Sequence, residues 1–169
     1  ADQNTELFID TCILEANTST RYGGAIHIRQ GVTVTLICST FSGNTTSTAG
    51  CSGGGIFSYG GSMSLFDISF TGNTGHHHGG GAAAWNGGTH QISDCHFTGN
   101  TTLDSNSTGG GLYLNNCTLT GSDNTFTSNA SQDGGGAWFD SSVTVDGQLD
   151  RWDFIGNSAS IEPVDGGAN

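Results

Sequence analysis

The chain has 169 residues, of which 29 are Gly and three are Arg, with no Lys and a formal net charge of −12. Three Arg (Arg21, Arg29 and Arg151) cannot form the basic stripe that a phosphate backbone requires, so nucleic-acid binding is excluded, as is docking on anionic lipid. No apolar run approaches the ~18 residues that cross a bilayer, so direct membrane insertion is not expected either.

Gly, Ser, Thr and Asn together make up about half of the chain. Aromatic residues nevertheless reach 9%, and Val, Ile and Thr are spread along the whole length, unlike disordered chains, which are poor in both. This composition predicts a thin, turn-rich β architecture with a narrow core. The first ten residues, ADQNTELFID, lack the basic start and apolar stretch of a signal peptide. Residues 1–169 are therefore expected to form a single domain, a mature chain or an excerpt of a longer repeat protein.

Taken in order, the chain repeats itself. Leu14-Glu-Ala-Asn17 precedes Gly23-Gly24-Ala25-Ile26, and Phe41-Ser-Gly-Asn44 precedes Gly53-Gly54-Gly55-Ile56. Phe70-Thr-Gly-Asn73 then leads to Gly79-Gly80-Gly81-Ala82, and Phe97-Thr-Gly-Asn100 to Gly109-Gly110-Gly111-Leu112. Phe126-Thr-Ser-Asn129 is followed by Gly134-Gly135-Gly136-Ala137, and Phe154-Ile-Gly-Asn157 by a partial copy, Gly166-Gly167-Ala168. Successive Asn are 27, 29, 27, 29 and 28 residues apart. A fixed period of this length is the signature of a solenoid.

The composition selects a β solenoid, because no long 3.6-period amphipathic segment occurs. After each Gly run the residues alternate. Ile26, Ile56, Ala82, Leu112 and Ala137, with Ile28, Ser58, Ala84, Leu114 and Phe139 two places on, form an inward row. A second strand precedes each Phe, as in residues 32–37, 63–66 and 143–145. Each repeat is thus one coil of a parallel β-helix of about six coils of roughly 28 residues. The repeated Asn17, Asn44, Asn73, Asn100, Asn129 and Asn157 are expected at one corner of every coil, in αL conformation and bonded to turn amides as a stacked ladder.

Tandem Gly-Gly-Ala-aliphatic and Phe-x-x-Asn motifs of this kind resemble the repeats of the chlamydial polymorphic membrane proteins. The resemblance covers essentially the whole chain. It implies a right-handed parallel β-helix, an all-β fold, exported to the cell surface and acting in adhesion rather than catalysis. The partner it implies is a host or cell-surface protein or glycan.

Candidate chemistry is sparse. His76-His77-His78 lies in the loop between Asn73 and Gly79, with His90 and His96 following. Three adjacent His on a loop do not converge well on one ion, so a solvated turn is expected rather than a metal site. Asp67, Asp94 and Asp123 each fall three residues before a motif Phe, giving a row of acids on successive coils. Solvated acids at strand ends are the expectation, with Ca²⁺ or glycan binding, or the paired carboxylates of a glycosidase, as alternatives. Asp150 and Asp153 are further candidates for such a pair. With no Lys and a single Arg nearby, a polysaccharide lyase is poorly supplied. No cofactor is expected, and no nucleophile elbow or dinucleotide fingerprint occurs.

The five Cys make no CxxC pair. Cys12 and Cys38 fall on adjacent coils and could form a disulfide, with Cys38–Cys51 as the competing pair. Of six glycosylation sequons, four coincide with motif Asn, which leaves Asn106 and Asn116 as the better acceptors. Lastly, the residues between the inward positions include Phe57, Tyr59, Trp85, Tyr113 and Trp138. They are expected to face outward as a recognition or assembly surface. The reading is a non-catalytic extracellular structural or adhesive module. A self-associating, head-to-tail filament subunit and a polysaccharide-active enzyme are the alternatives.

Overall fold

The computed structural model describes residues 5–160, and the partial repeat at residues 166–168 lies outside them. Every regular element among the described residues is a strand, and all pairing is parallel between one coil and the next. Each full coil carries four short strands rather than the two expected from alternation. Sheet one begins Thr5–Asp10, Val32–Ile37 and Ser62–Phe66, and sheet two begins Ile13–Glu15, Thr40–Ser42 and Ser69–Thr71. Sheet three is built from two-residue strands such as Thr45–Thr46 and Thr101–Thr102. Sheet four stacks Ile26–Arg29, Ile56–Tyr59, Ala82–Trp85, Leu112–Asn115 and Ala137–Phe139. The extra strands escaped pattern reading because a strand of two or three residues is too short to display a period.

The register is in phase with the sequence repeat. Phe70 pairs with Phe41 on one side and Phe97 on the other, so identical side chains stack along the rod. The rings of Phe70 and Phe97 are 4.7 Å apart and 8° from parallel, and those of Phe97 and Phe126 4.7 Å and 2°. All four of Phe41, Phe70, Phe97 and Phe126 have no exposed surface. Burying one such ring contributes about 2–3 kcal/mol, and stacking on its neighbour roughly 0.5–1.5 more. The core ends where the stack ends. Leu14, which takes the Phe position in the first coil, is only half-buried and Phe154 in the last is 52% exposed, because each has a described neighbour on one side only.

The Asn ladder forms beside the Phe stack. The backbone N–H and the Nδ2 of Asn100 both donate to Oδ1 of Asn129, each at 2.9 Å. Asn100 Nδ2 also donates to the carbonyl of Phe70 in the preceding coil at 2.9 Å, and its Oδ1 accepts from Asn73. The same pattern runs from Asn17 to Asn157. Each Asn side chain thus accepts the corner N–H of the Asn one coil before it, and the ladder adds bonds between the Asn amides and to the carbonyl of the motif Phe or Leu. Asn does not itself occupy the left-handed region: the residue before it does, with φ of +60° at Gly43 and Gly72 and +62° at Gly99. This frees the Asn amide to lie flat in the ladder.

A second left-handed corner accounts for the acidic row. Asp67, Asp94 and Asp123 have φ of 54°, 56° and 61° and turn the chain from sheet one into sheet two. Short polar side chains tolerate this conformation better than most. At the third corner Gly53 has φ +72°, and a Cβ on the following Gly54 would collide with the carbonyl oxygen of Gly80 and the backbone of Thr74. The first Gly of each run supplies the turn and the second the close approach of coils.

The expected Cys12–Cys38 disulfide is not formed. Both are free and exposed, and Cys51, Cys95 and Cys117 are also free. The pairing of Ile13 with Thr40 sets Cys12 opposite Ser39, whose Oγ accepts the Cys12 N–H at 3.0 Å. Cys38 therefore sits one place out of register with Cys12, at the left-handed corner that Thr11 occupies in the coil before. Burial pushes the thiol of Cys95 up to about 12 and that of Cys117 to about 11.

Candidate functional site

The outer face of sheet four carries the residues that lie between the inward positions. Pairing places His27, Phe57, Ala83, Tyr113 and Trp138 in one row along the rod. Arg29, Tyr59, Trp85 and Asn115 form a parallel row beside it. The three inner strands, Ile56–Tyr59, Ala82–Trp85 and Leu112–Asn115, are paired on both sides and make a fixed platform, while Ile26–Arg29 pairs on one side as an edge strand.

The first row is not open to solvent as expected. Phe57 and Tyr113 are only 2% and 5% exposed, which corrects their assignment to the exposed surface. The physical cause is a second layer contributed by the chain just ahead of the Gly runs. Tyr22 stacks on Phe57 with centroids 4.5 Å apart and planes 19° from parallel. His78 stacks on Tyr113 at 4.3 Å and 11°. Ala83 leaves space between the two large rings, and Trp85 stands edge-on to both, 6.2 Å from Phe57 and 6.1 Å from Tyr113. The Trp85 indole donates to the Tyr113 hydroxyl at 2.9 Å. Tyr59 and Trp138 stay exposed and Trp85 half-buried.

Of the three His, only His78 is buried, and His76 and His77 are half-buried. His78 is buried and bonded to Thr108 Oγ1 at 2.8 Å, and burial, with a smaller push from His77, lowers its pKa to about 4. His76 Nδ1 lies 2.9 Å from Asp104; partial burial would raise that carboxyl, but the His76 contact and the backbone N–H of Gly50 hold it below the usual carboxylate range. Among the described residues no three His, Cys, Asp or Glu converge as a metal ion would require.

Beside the covered row lies a cleft of about 510 Å³, lined by Arg21, Tyr22, His27, Arg29, Gln30, Phe57, Tyr59 and Trp85. Its volume falls within the roughly 300–1,000 Å³ of small-ligand sites. Three of its residues, Phe57, Tyr59 and Trp85, belong to the outward aromatic set read from the sequence, whereas Tyr113 and Trp138 of that set are not among its walls. Arg21, Tyr22 and Gln30 escaped notice because they lie outside the strand after the Gly run. Their one signal was the concentration of two of the three Arg within nine positions of each other. Both Arg are exposed, and among the described residues the guanidinium of neither meets a carboxylate; the third, Arg151, is paired with Asp123. His27 is held below its ordinary pKa by burial and then by the Arg29 charge, so it faces the cleft as a neutral imidazole at pH 7.

The sequon residues separate by exposure. Asn106 and Asn116 are exposed in turns, whereas Asn44, Asn100 and Asn129 are wholly buried in the ladder. A family model described as "Right handed beta helix region" matches residues 2–169. No curated protein and no solved structure matches the chain significantly.

Proposed function

Since the chain belongs to the right-handed β-helix family, a rigid scaffold for surface-borne sites, we propose that it is a non-catalytic extracellular recognition module. Its binding surface is the cleft on the outer face of sheet four. The observation that carries this reading is the meeting of Tyr22, Tyr59 and Trp85 with Arg21 and Arg29 around one 510 Å³ concavity. Aromatic rings offer broad apolar faces with polar edges, suited to sugar rings or a partner protein's side chains. The resemblance of the Gly-Gly and Phe-x-x-Asn repeats to chlamydial polymorphic membrane proteins supports a cell-surface, adhesive role. The backbone role of Asp67, Asp94 and Asp123 at left-handed corners supports the non-catalytic reading, since those acids have a structural use.

Glycan-array binding and adhesion of protein-coated beads to cells test it. The double variant Tyr59→Ser, Trp85→Ser should lose binding while keeping its β-sheet circular dichroism. Trp138→Ser, outside the cleft, should bind like the parent. Retained binding by the double variant places recognition elsewhere, and turnover of any member of a polysaccharide panel overturns the non-catalytic reading.

A further inference from the structure

We infer that the cleft selects an acidic saccharide, a sugar chain bearing carboxylate or sulfate groups, over a neutral one. The inference rests on the reading of the cleft as a recognition site and adds the chemical class of its ligand. Charge is the reason. In a chain of formal net charge −12, the two Arg without an ion-pair partner among the described residues both line one cleft. The remaining surface repels anions, so an acidic ligand is drawn to this position alone.

The geometry fits the two halves of such a ligand. Tyr59 and Trp85 are neighbours in the row that Arg29 begins, Arg29 pairing with Tyr59 and Tyr59 with Trp85. The rings present apolar faces to the C–H side of a pyranose. A guanidinium offers a planar fork of donors that matches a carboxylate or sulfate. Arg21 lies in the loop before the Gly run and Arg29 at the end of strand Ile26–Arg29, so the two cations line the cleft from different elements. Gln30 and the neutral imidazole of His27 add donors and acceptors for hydroxyl groups. A neutral ligand would leave both guanidinium groups without a counter-charge.

Calorimetric titration at one salt concentration tests this with three probes. They are a tetrasaccharide of alternating glucuronate and N-acetylglucosamine, a heparin-type sulfated tetrasaccharide, and the neutral tetramer of N-acetylglucosamine. At least one acidic probe should bind about tenfold or more tighter than the neutral tetramer, as a single charge-assisted contact provides. Preference between the glucuronate and the sulfated probe identifies which acid group the forks hold. The double variant Arg21→Gln, Arg29→Gln should bring the acidic probe down to the level of the neutral one, whereas Trp138→Ser, outside the cleft, should keep the parent's preference. Equal or tighter binding of the neutral tetramer overturns the acid preference yet leaves the cleft as a recognition site. Binding of an acidic probe that the double variant retains in full also overturns it. If none of the three binds, the reading of the cleft as a saccharide site falls with it.

Discussion

The indole N–H of Trp85 donates to the phenolic oxygen of Tyr113 across adjacent coils at 2.9 Å, and that bond sets the Trp85 ring on edge against the covered row. Trp85 also helps to line the 510 Å³ cleft. Tyr113 itself takes no part in the cleft, so it is a positioning residue.

Tyr113→Phe should therefore cost about 1 kcal/mol of stability, the net worth of one such hydrogen bond. It should also release Trp85 and shift its fluorescence emission to the red. Ligand affinity should fall although no cleft residue has changed. Chemical denaturation and emission spectra check this, and unaltered emission would show that the bond does not hold the ring.

Asn100→Ala should be among the most costly polar substitutions in the chain. Asn73 loses the acceptor for its amide and backbone N–H, and the Phe70 carbonyl loses its Asn donor. All sit where water cannot replace the missing partner, since Asn73 and Phe70 are fully buried. At roughly 1–3 kcal/mol for each buried group left unpaired, the loss should reach about 3 kcal/mol or more. Asn17→Ala, at the exposed end of the ladder, should cost less than about 1 kcal/mol. Equal midpoints for the two variants in urea would contradict the ladder's cooperative role.

His90 should make the fold acid-sensitive. It is fully buried between Met63 and Leu119 in sheet one, and neither ring nitrogen makes a well-formed hydrogen bond. Burial lowers its pKa from 6.5 to about 4, and the approach of the Gly87 backbone offsets only part of that. The folded state thus binds the proton less readily than the unfolded chain. The stability present above pH 6.5 is lost as pH falls toward 4, by on the order of 3 kcal/mol. His90→Met, matching its neighbour Met63, should flatten this window and stabilise the protein at neutral pH. His78, also lowered to about 4, should leave part of the acid sensitivity in place. Thermal unfolding of parent and variant from pH 4 to 7 measures the difference, and parallel profiles would remove His90 as the cause.

The solenoid could be read from the residues because its signals are local and recur. A Phe three residues before an Asn, and a Gly pair leading into alternating Ile, Ala and Leu, must solve the same packing problem in every coil. The chain by itself therefore determined the number of coils, the parallel register, and the stacking of Phe41, Phe70, Phe97 and Phe126. It could not assign the left-handed corner to Gly72 rather than to Asn73, since both residue types tolerate that conformation and the choice depends on where the ladder amide must point. The one-residue offset that separates Cys12 from Cys38 was likewise visible only in the register.

The tertiary structure alone decided what the outer face of sheet four looks like. The segment between each Asn and its Gly run varies in length, so nothing periodic constrains its path. Whether Tyr22 and His78 lie back over Phe57 and Tyr113 depends on the space left by the small Ala83 and on rings from other coils. That covering turned an expected open aromatic strip into a closed layer with one cleft beside it. Arg21 and Arg29 line one cleft because the loop that bears Arg21 leads straight into the strand that bears Arg29, and its path is fixed only by the packing of Tyr22 on Phe57.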